Sequence, residues 1–263
     1  MNKFLIVNYL KKIGLYKSVR WLYNRILRYK KHTEMSIAGY KIKFWTPTFY
    51  LDEYITNFAE RKVIEKFIDE LSTSDIVWDV GANIGIYSIF SANIVAPKGI
   101  VYAFEPEKKS FSLLKKNVET NKIENIITLP IALGDTNGKS ILYPSDTPNF
   151  GAHSFVQRTD YRLKRKGYSV QVCKADSLVE DGTLEIPNVI KIDVEGAETL
   201  VIKGMRNILE NKKVRILICE VHTNLLTLFG GSQDYIESTL RGLGFSIETL
   251  DKRGNLHHLL FKR

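Results

Sequence analysis

Cysteine is scarce in this sequence: Cys173 and Cys219 are the only two in 263 residues. They lie far apart and belong to no metal-spaced cluster, which excludes a disulfide framework and a cysteine-rich zinc site and points to a reducing compartment. Long apolar runs are absent as well. Phe4-Leu5-Ile6-Val7 is cut off by Asn8 and then by Lys11-Lys12, too short for a signal-peptide core or a membrane span, so a cytoplasmic protein is expected. No internal repeat and no low-complexity linker occurs, which argues against an array or a loosely tethered second domain.

What is present is enough apolar material for a sizeable core, 44% of the residues, and an excess of cations, with a formal net charge of +9. The length suits one large domain or one domain with an extension. The cations are concentrated. One cluster, Lys11, Lys12, Lys17, Arg20, Arg25, Arg28, Lys30 and Lys31, is interleaved with Tyr16, Trp21, Tyr23 and Tyr29. Leu5, Tyr9, Ile13, Tyr16, Val19, Tyr23, Ile26 and Leu27 recur there at helical spacing, so an amphipathic helical extension is expected. It could rest on an anionic membrane at the inner face, grip a nucleic acid, or pack on the core or on a second subunit, a homodimer being one form of the last. A second cluster is Arg158, Arg162, Lys164, Arg165 and Lys166.

Residues 35–45 alternate around Ala38-Gly39-Tyr40 and read as a hairpin. This sets an expected division into an extension over 1–59 and a main domain over 60–263. From residue 60 helical and strand patterns alternate, the signature of a doubly wound, mostly parallel α/β sheet. Strands are expected at 76–80, 100–104, 126–133, 189–193 and 214–220. Helices are expected at 86–95, 108–121, from 197 toward 209, and at 235–243. Residues 245–250 and 256–261 flank Asp251-Lys252-Arg253-Gly254-Asn255 and read as an antiparallel hairpin closing the sheet.

The expected strand 76–80 runs into Gly81, and a helix begins soon after Gly85, which puts the glycines at the carboxyl edge of the sheet where open α/β sheets bind ligands. Asp79 offers a negative group to the charged amino-acid end of a sulfonium cofactor. Glu105 ends the next strand, where an acid can accept hydrogen bonds from ribose hydroxyls. These two elements would also serve a dinucleotide in an NAD-dependent oxidoreductase. The spacing G-x-x-x-G, in place of G-x-G-x-x-G, and the terminal hairpin favour a cofactor without a pyrophosphate.

The run Asp79-Val80-Gly81-Ala82-Asn83-Ile84-Gly85, with Tyr87-Ser88 and Phe104-Glu105-Pro106, resembles the FkbM-type S-adenosylmethionine-dependent O-methyltransferases. Ile131-Ala132-Leu133-Gly134-Asp135, Ala175-Asp176-Ser177-Leu178, Lys191-Ile192-Asp193-Val194-Glu195-Gly196-Ala197-Glu198 and Glu220-Val221-His222 follow in that family's order. The resemblance covers roughly residues 60–222. It implies a Rossmann-like class I methyltransferase fold, a seven-stranded sheet with the reversed hairpin at its end. It also implies S-adenosylmethionine as cofactor, with Asp79, Gly81, Asn83 and Gly85 around the methionine part, Glu105 on the ribose, and Ala132 with Leu133 beside adenine.

For the chemistry, Asp193 and Glu220 end two strands that would be neighbours, and His222 falls on the same face as Glu220 if the strand continues. Methyl transfer to a hydroxyl needs positioning and removal of a proton. His222, with an ordinary pKa near neutrality, is the leading candidate base; Asp193 or Glu220 could serve instead, orient the imidazole, or hold a divalent cation such as Mg2+. Lys191, Glu195 and Asn149 are candidates for acceptor contacts, with Gly151 and His153 in the same long loop. Glu195 and Glu198 also suit a helix start for electrostatic reasons alone. The expected acceptor is a hydroxyl-bearing small molecule, with a sugar of a glycan or glycolipid favoured. The basic residues leave RNA, at ribose or base, as the alternative. A cofactor-binding scaffold without catalysis is the reading outside the enzyme class.

Overall fold

The computed structural model describes residues 15, 33–45, 58–143 and 166–263. The amphipathic pattern over residues 1–31 falls outside them except for Leu15, and so do Asn149, Gly151, His153, Arg158, Arg162, Lys164 and Arg165.

The chain runs through a hairpin, β1 (Thr33–Ile37) and β2 (Tyr40–Phe44), into α1 (Phe58–Asp69) and then β3 (Ile76–Val80), α2 (Ile86–Val95), β4 (Ile100–Phe104) and α3 (Lys108–Thr120). Next come β5 (Ile126–Leu129), β6 (Ile131–Leu133), β7 (Gly138–Leu142), β8 (Tyr168–Cys173), α4 (Ala175–Glu180) and β9 (Val189–Ile192). The last part holds α5 (Glu198–Gly204), α6 (Arg206–Glu210), β10 (Ile216–His222), α7 (Thr223–Leu226), α8 (Gln233–Gly242), β11 (Ser246–Arg253) and β12 (Leu256–Lys262).

Seven strands form the central sheet in the order β11-β12-β10-β9-β3-β4-β5. β10, β9, β3, β4 and β5 are parallel, and β12 and β11 run back as the antiparallel hairpin. The parallel strands are apolar on both faces because helices cover both. Trp78, Phe104, Ile190, Leu217 and Phe261 face one apolar cluster with Val201, Ile208 and Leu240 of the helices. Val77, Val101, Val189, Ile218 and Leu260 face the other, shared with Phe67, Ile89 and Phe90. The β1–β2 hairpin belongs to this second layer through Met35, Ile37, Ile42 and Phe44, and Trp45 N–H donates to the Asn117 side chain of α3 at 2.6 Å.

Two expected elements are split, each for a visible reason. The strand over 126–133 divides at Pro130, which has no N–H to donate: β5 stays in the central sheet beside β4, while β6 joins β8 and β7 in a separate three-stranded sheet. The helix from 197 toward 209 breaks at Met205. Asp176, buried in α4, accepts the N–H of Asn207 and of Ile208, both at 3.0 Å, and so begins a new helix, α6. A Cβ on Gly204 would stand 1.8 Å from the Gly134 carbonyl oxygen, so only glycine lets α5 lie this close to the turn after β6. The strand expected at 214–220 lies two residues later, at Ile216–His222, and takes in His222.

Asp176→Ala removes both acceptors from the start of α6 and should cost about 1–2 kcal/mol, the range for a lost helix cap. Urea unfolding reads it as a lower midpoint with an unchanged slope; a midpoint equal to that of the parent chain rules the cap out as the cause of the break.

Candidate functional site

β3 and β9 lie side by side where the strand order reverses, and their carboxyl ends open a cleft of about 580 Å³. Gly81 and Asn83 form one wall with Asp193 and Glu195, and Phe104, Pro106, Ile131, Ala132, Leu133 and Leu142 line an apolar slot on the other. Ala132 and Leu133 therefore stand at the cleft, as do Gly81, Asn83 and Glu105; Asp79 and Gly85 do not line it. A smaller hollow beside it is bounded by Ala82, Tyr87, Lys191 and Asp193.

The loop after β3 is shaped by its neighbours. Gly81 has φ +81°, and a Cβ there would come within 1.8 Å of the Asp193 carbonyl oxygen. Asn83 and Glu195, both lining the cleft, each hold φ 53°, a left-handed conformation that costs non-glycine residues energy and clusters at functional sites.

Glu105 is 6% exposed, and each oxygen accepts one backbone N–H, from Asn83 and from Glu107, both at 2.7 Å. A carboxylate can accept about four hydrogen bonds, so acceptor capacity remains. Burial pushes this carboxyl up to about 7 against the pull of those two N–H groups.

Beneath the loop, Lys191 is 5% exposed. Its ammonium donates to the Gly81 carbonyl at 2.8 Å and lies 3.3 Å from Asp79 Oδ1 and 3.4 Å from Asp193 Oδ2. Ser88 Oγ donates to Asp79 Oδ2 at 2.5 Å. The ammonium is thus hydrogen-bonded to a backbone carbonyl and flanked by two carboxylates inside the protein, which makes it a brace between β3, the loop and the end of β9. It also makes Asp79 a brace under the loop, not part of its wall.

Asp193, Glu220 and His222 do converge, with ligand-type atoms within 4.8 Å of one another. His222 Nδ1 lies 2.8 Å from Glu198 Oε1, and its Nε2 is 3.6 Å from both Glu195 and Glu220. Burial alone would lower its pKa, but the bond to Glu198 and the charges of Glu195, Glu198 and Asp193 push it up to about 10. An imidazolium has no lone pair to take a proton, so a ring raised this far suits a hydrogen-bond donor better than a resting base near neutral pH. Glu220 is the better-suited acceptor, since burial and then the charge of Asp193 raise its pKa.

A magnesium ion fits this cluster poorly. Among the described residues the group supplies two carboxylates and a histidine that is protonated and already bonded to Glu198, while Mg2+ asks for near-octahedral oxygen ligation. A cationic organic group fits well, because carboxylates outnumber the cations Lys191, His222 and His258 around the strand ends.

Two participants were not legible as such in the sequence. Glu198 is fully buried and also accepts the Gly196 N–H at 2.9 Å, where a helix-start acid would be solvated. His258, 2% exposed in β12, reaches Glu220 Oε2 at 3.0 Å; it lies beyond every recognised motif, and its only signal is the register of the hairpin.

Residues 79–247 match the family model described as the methyltransferase FkbM domain. The hexuronic acid methyltransferase AglP of Haloferax volcanii is 34% identical over 167 residues, 64% of each chain, so the alignment spans just under two thirds of that relative. The 31-O-demethyl-FK506 methyltransferase FkbM of Streptomyces tacrolimicus is 28% identical over 68% of this chain and 75% of its own. Among solved structures, fibrillarin of Aeropyrum pernix with bound S-adenosyl-L-methionine aligns over 88% of this chain and 82% of its own, with 14% identity and a TM-score of 0.48, too distant for any role to pass between them.

Lys191→Met leaves the buried Asp79 without its cation, beside a half-buried Asp193, and should cost about 3–5 kcal/mol, the range for breaking a buried pair from one side. Chemical unfolding at pH 7 measures it. A loss under about 1 kcal/mol would mean that the ammonium does not brace the loop.

Proposed function

The chain belongs to the FkbM methyltransferase family, and we propose that it moves a methyl group from S-adenosylmethionine to a hydroxyl of a sugar in a glycan or glycolipid. The observation that carries the hydroxyl is the convergence of Asp193, Glu220 and His222 beside the cleft. A carboxylate acceptor needs no base and would be repelled by these acids; a hydroxyl must lose a proton as it is methylated, and a raised carboxylate is suited to take it. The sugar, and not the choice of hydroxyl over carboxylate, is supported by the relative named for hexuronic acid methylation, since a hexuronic acid carries both groups.

The residues present fit the cofactor: a buried carboxylate with spare acceptor sites, an apolar slot beside it and an excess of negative charge. Bound there, S-adenosylmethionine supplies an electrophilic methyl on a sulfonium that departs as a neutral thioether. In this reading Glu105 accepts the ribose hydroxyls, Ala132 and Leu133 with Ile131 and Leu142 flank the base, and Gly81 and Asn83 border the amino-acid end. Glu220 takes the acceptor's proton as the new O–C bond forms, Asp193 helps hold the acceptor, and His222 donates a hydrogen bond that orients it. Glu195, held in its left-handed conformation at the cleft wall, sets the near boundary of the acceptor site. No step runs through a metal.

The division into an extension over 1–59 and a methyltransferase domain over 60–263 is part of this proposal, with the β1–β2 hairpin packed on the domain's second apolar layer. Among the described residues no helix is long and apolar enough to cross a membrane. Contact with a lipid-borne acceptor at the inner membrane face would fall to residues 1–31.

Two outcomes are expected. With labelled cofactor and a panel of free and lipid-linked sugars, the protein should label a sugar hydroxyl, and Glu220→Gln should lower kcat by about 10²–10⁴-fold, the usual worth of a general base, with cofactor affinity kept. Labelling of RNA alone, or of a carboxylate as its methyl ester, would sink the proposal. Glu105, raised to about 7, is protonated in the folded chain between its ordinary pKa and pH 7, so its contribution to stability is complete below that ordinary pKa and is lost as pH rises through 7. Ribose hydroxyls favour the ionised form; affinity for S-adenosylhomocysteine should therefore rise about tenfold from pH 6 to 8, with proton release below pH 7. Calorimetry in buffers of different ionisation enthalpy reads both, and a flat profile removes Glu105 from the ribose.

A further inference from the structure

The cluster at the strand ends continues behind Glu220 into a buried layer that the proposed reaction does not use. β12 pairs antiparallel with β10 and sets His258 opposite Glu220. His258 Nε2 lies 3.0 Å from Glu220 Oε2 and 3.8 Å from Glu60 Oε2 of α1; its Nδ1 is 3.8 Å from Asp251 Oδ2 of β11 and has no hydrogen-bond partner. Arg253 bridges Glu60 and Asp251 on the outer side. Glu220 therefore has its two oxygens turned apart: Oε2 meets His258, and Oε1 faces His222 at 3.6 Å.

A carboxylate on a flexible side chain serves as a base only if one lone pair is held toward the proton it must take. We propose that His258 is a positioning residue for methyl transfer, holding Glu220 Oε2 from behind so that Oε1 stays turned toward the acceptor side. The inference rests on the reading of Glu220 as the proton acceptor. Against the lowering effect of burial, the bond to Glu220 and the charges of Glu220, Glu60 and Asp193 raise the pKa of this imidazole, and Asp251 lies 3.8 Å from its Nδ1. The register of the reversed hairpin is what makes the residue level with Glu220 a histidine. The arrangement also ties α1 and the last strand to the site, although both lie outside residues 79–247.

The test uses the full chain with His258→Leu, which removes the donor, and His258→Gln, which returns an N–H near the position of Nε2. Each is assayed for kcat and KM on the acceptor that the parent chain methylates, for S-adenosylhomocysteine affinity, and for unfolding midpoint. His258→Leu should lower kcat about 10–100-fold with cofactor affinity within twofold, and His258→Gln should recover most of that loss. Parallel losses of kcat, cofactor affinity and midpoint in both variants, or a kcat within twofold in His258→Leu, would overturn the proposal. A second readout does not depend on the acceptor. With ¹⁵N-labelled histidine, the parent chain should show a downfield imidazole N–H resonance that disappears in both His258→Leu and Glu220→Gln. If that resonance is missing from the parent chain, the His258–Glu220 bond is absent and the proposal falls. If it is present while no sugar is methylated, the acceptor reading falls and the positioning geometry stands.

Discussion

The ammonium of Lys191, enclosed between Asp79, Asp193 and the Gly81 carbonyl, ties together the three pieces from which the site is made: β3, the loop that leaves it and the end of β9. Asp79, buried, would lose its hydration uncompensated and be repelled by the half-buried Asp193 on the other side of the ammonium. With the cation between them they become a fixed base for the glycine turn. Gly81 then packs against the Asp193 backbone so closely that no side chain fits. The cleft inherits its shape from this contact, since Asn83, which follows the turn, reaches across to hold Glu105.

Around that brace the site is built with an excess of acid. Each acid is handled differently by its surroundings: Glu105 is raised by burial, Glu220 by burial and Asp193, and Glu198 is held by a backbone N–H and His222. The same acids convert His222 from a neutral base into a charged donor. A group's role here depends less on its type than on which charges reach it, a common way for one cluster to supply both a donor and an acceptor near neutral pH. Membership of the FkbM methyltransferase family agrees with an acidic site, because the methyl donor of such an enzyme is a cation.

The reversed terminal hairpin does more than close the sheet. It covers β10 on its free side, and its register aligns His258 with Glu220, so an element recognisable as a topological marker also enters the site's electrostatics. α1 contributes Glu60 to the same layer, which joins the elements before and after the family's matched region into one charged network.

The sequence by itself determined the doubly wound architecture, the order of the strands and helices of the central sheet outside residues 134–188, and, in part through the family's motifs, the cleft residues Gly81, Asn83, Glu105, Ala132 and Leu133. The architecture, Gly81 and Glu105 follow from period and turn chemistry, which are local, and Asn83, Ala132 and Leu133 from the resemblance to the FkbM family. It also brought Asp193, Glu220 and His222 to one strand edge, because neighbouring parallel strands end together. Only the tertiary structure decided where Pro130 and Met205 divide expected elements, since partners distant in sequence, β8 for one and Asp176 for the other, complete the break. It alone turned Lys191 inward, buried Glu198, charged His222 and set His258 behind Glu220. The physical reason is the same in each case: burial and the charges at a side chain's tip depend on segments folded against it from far along the chain, and no local pattern records them.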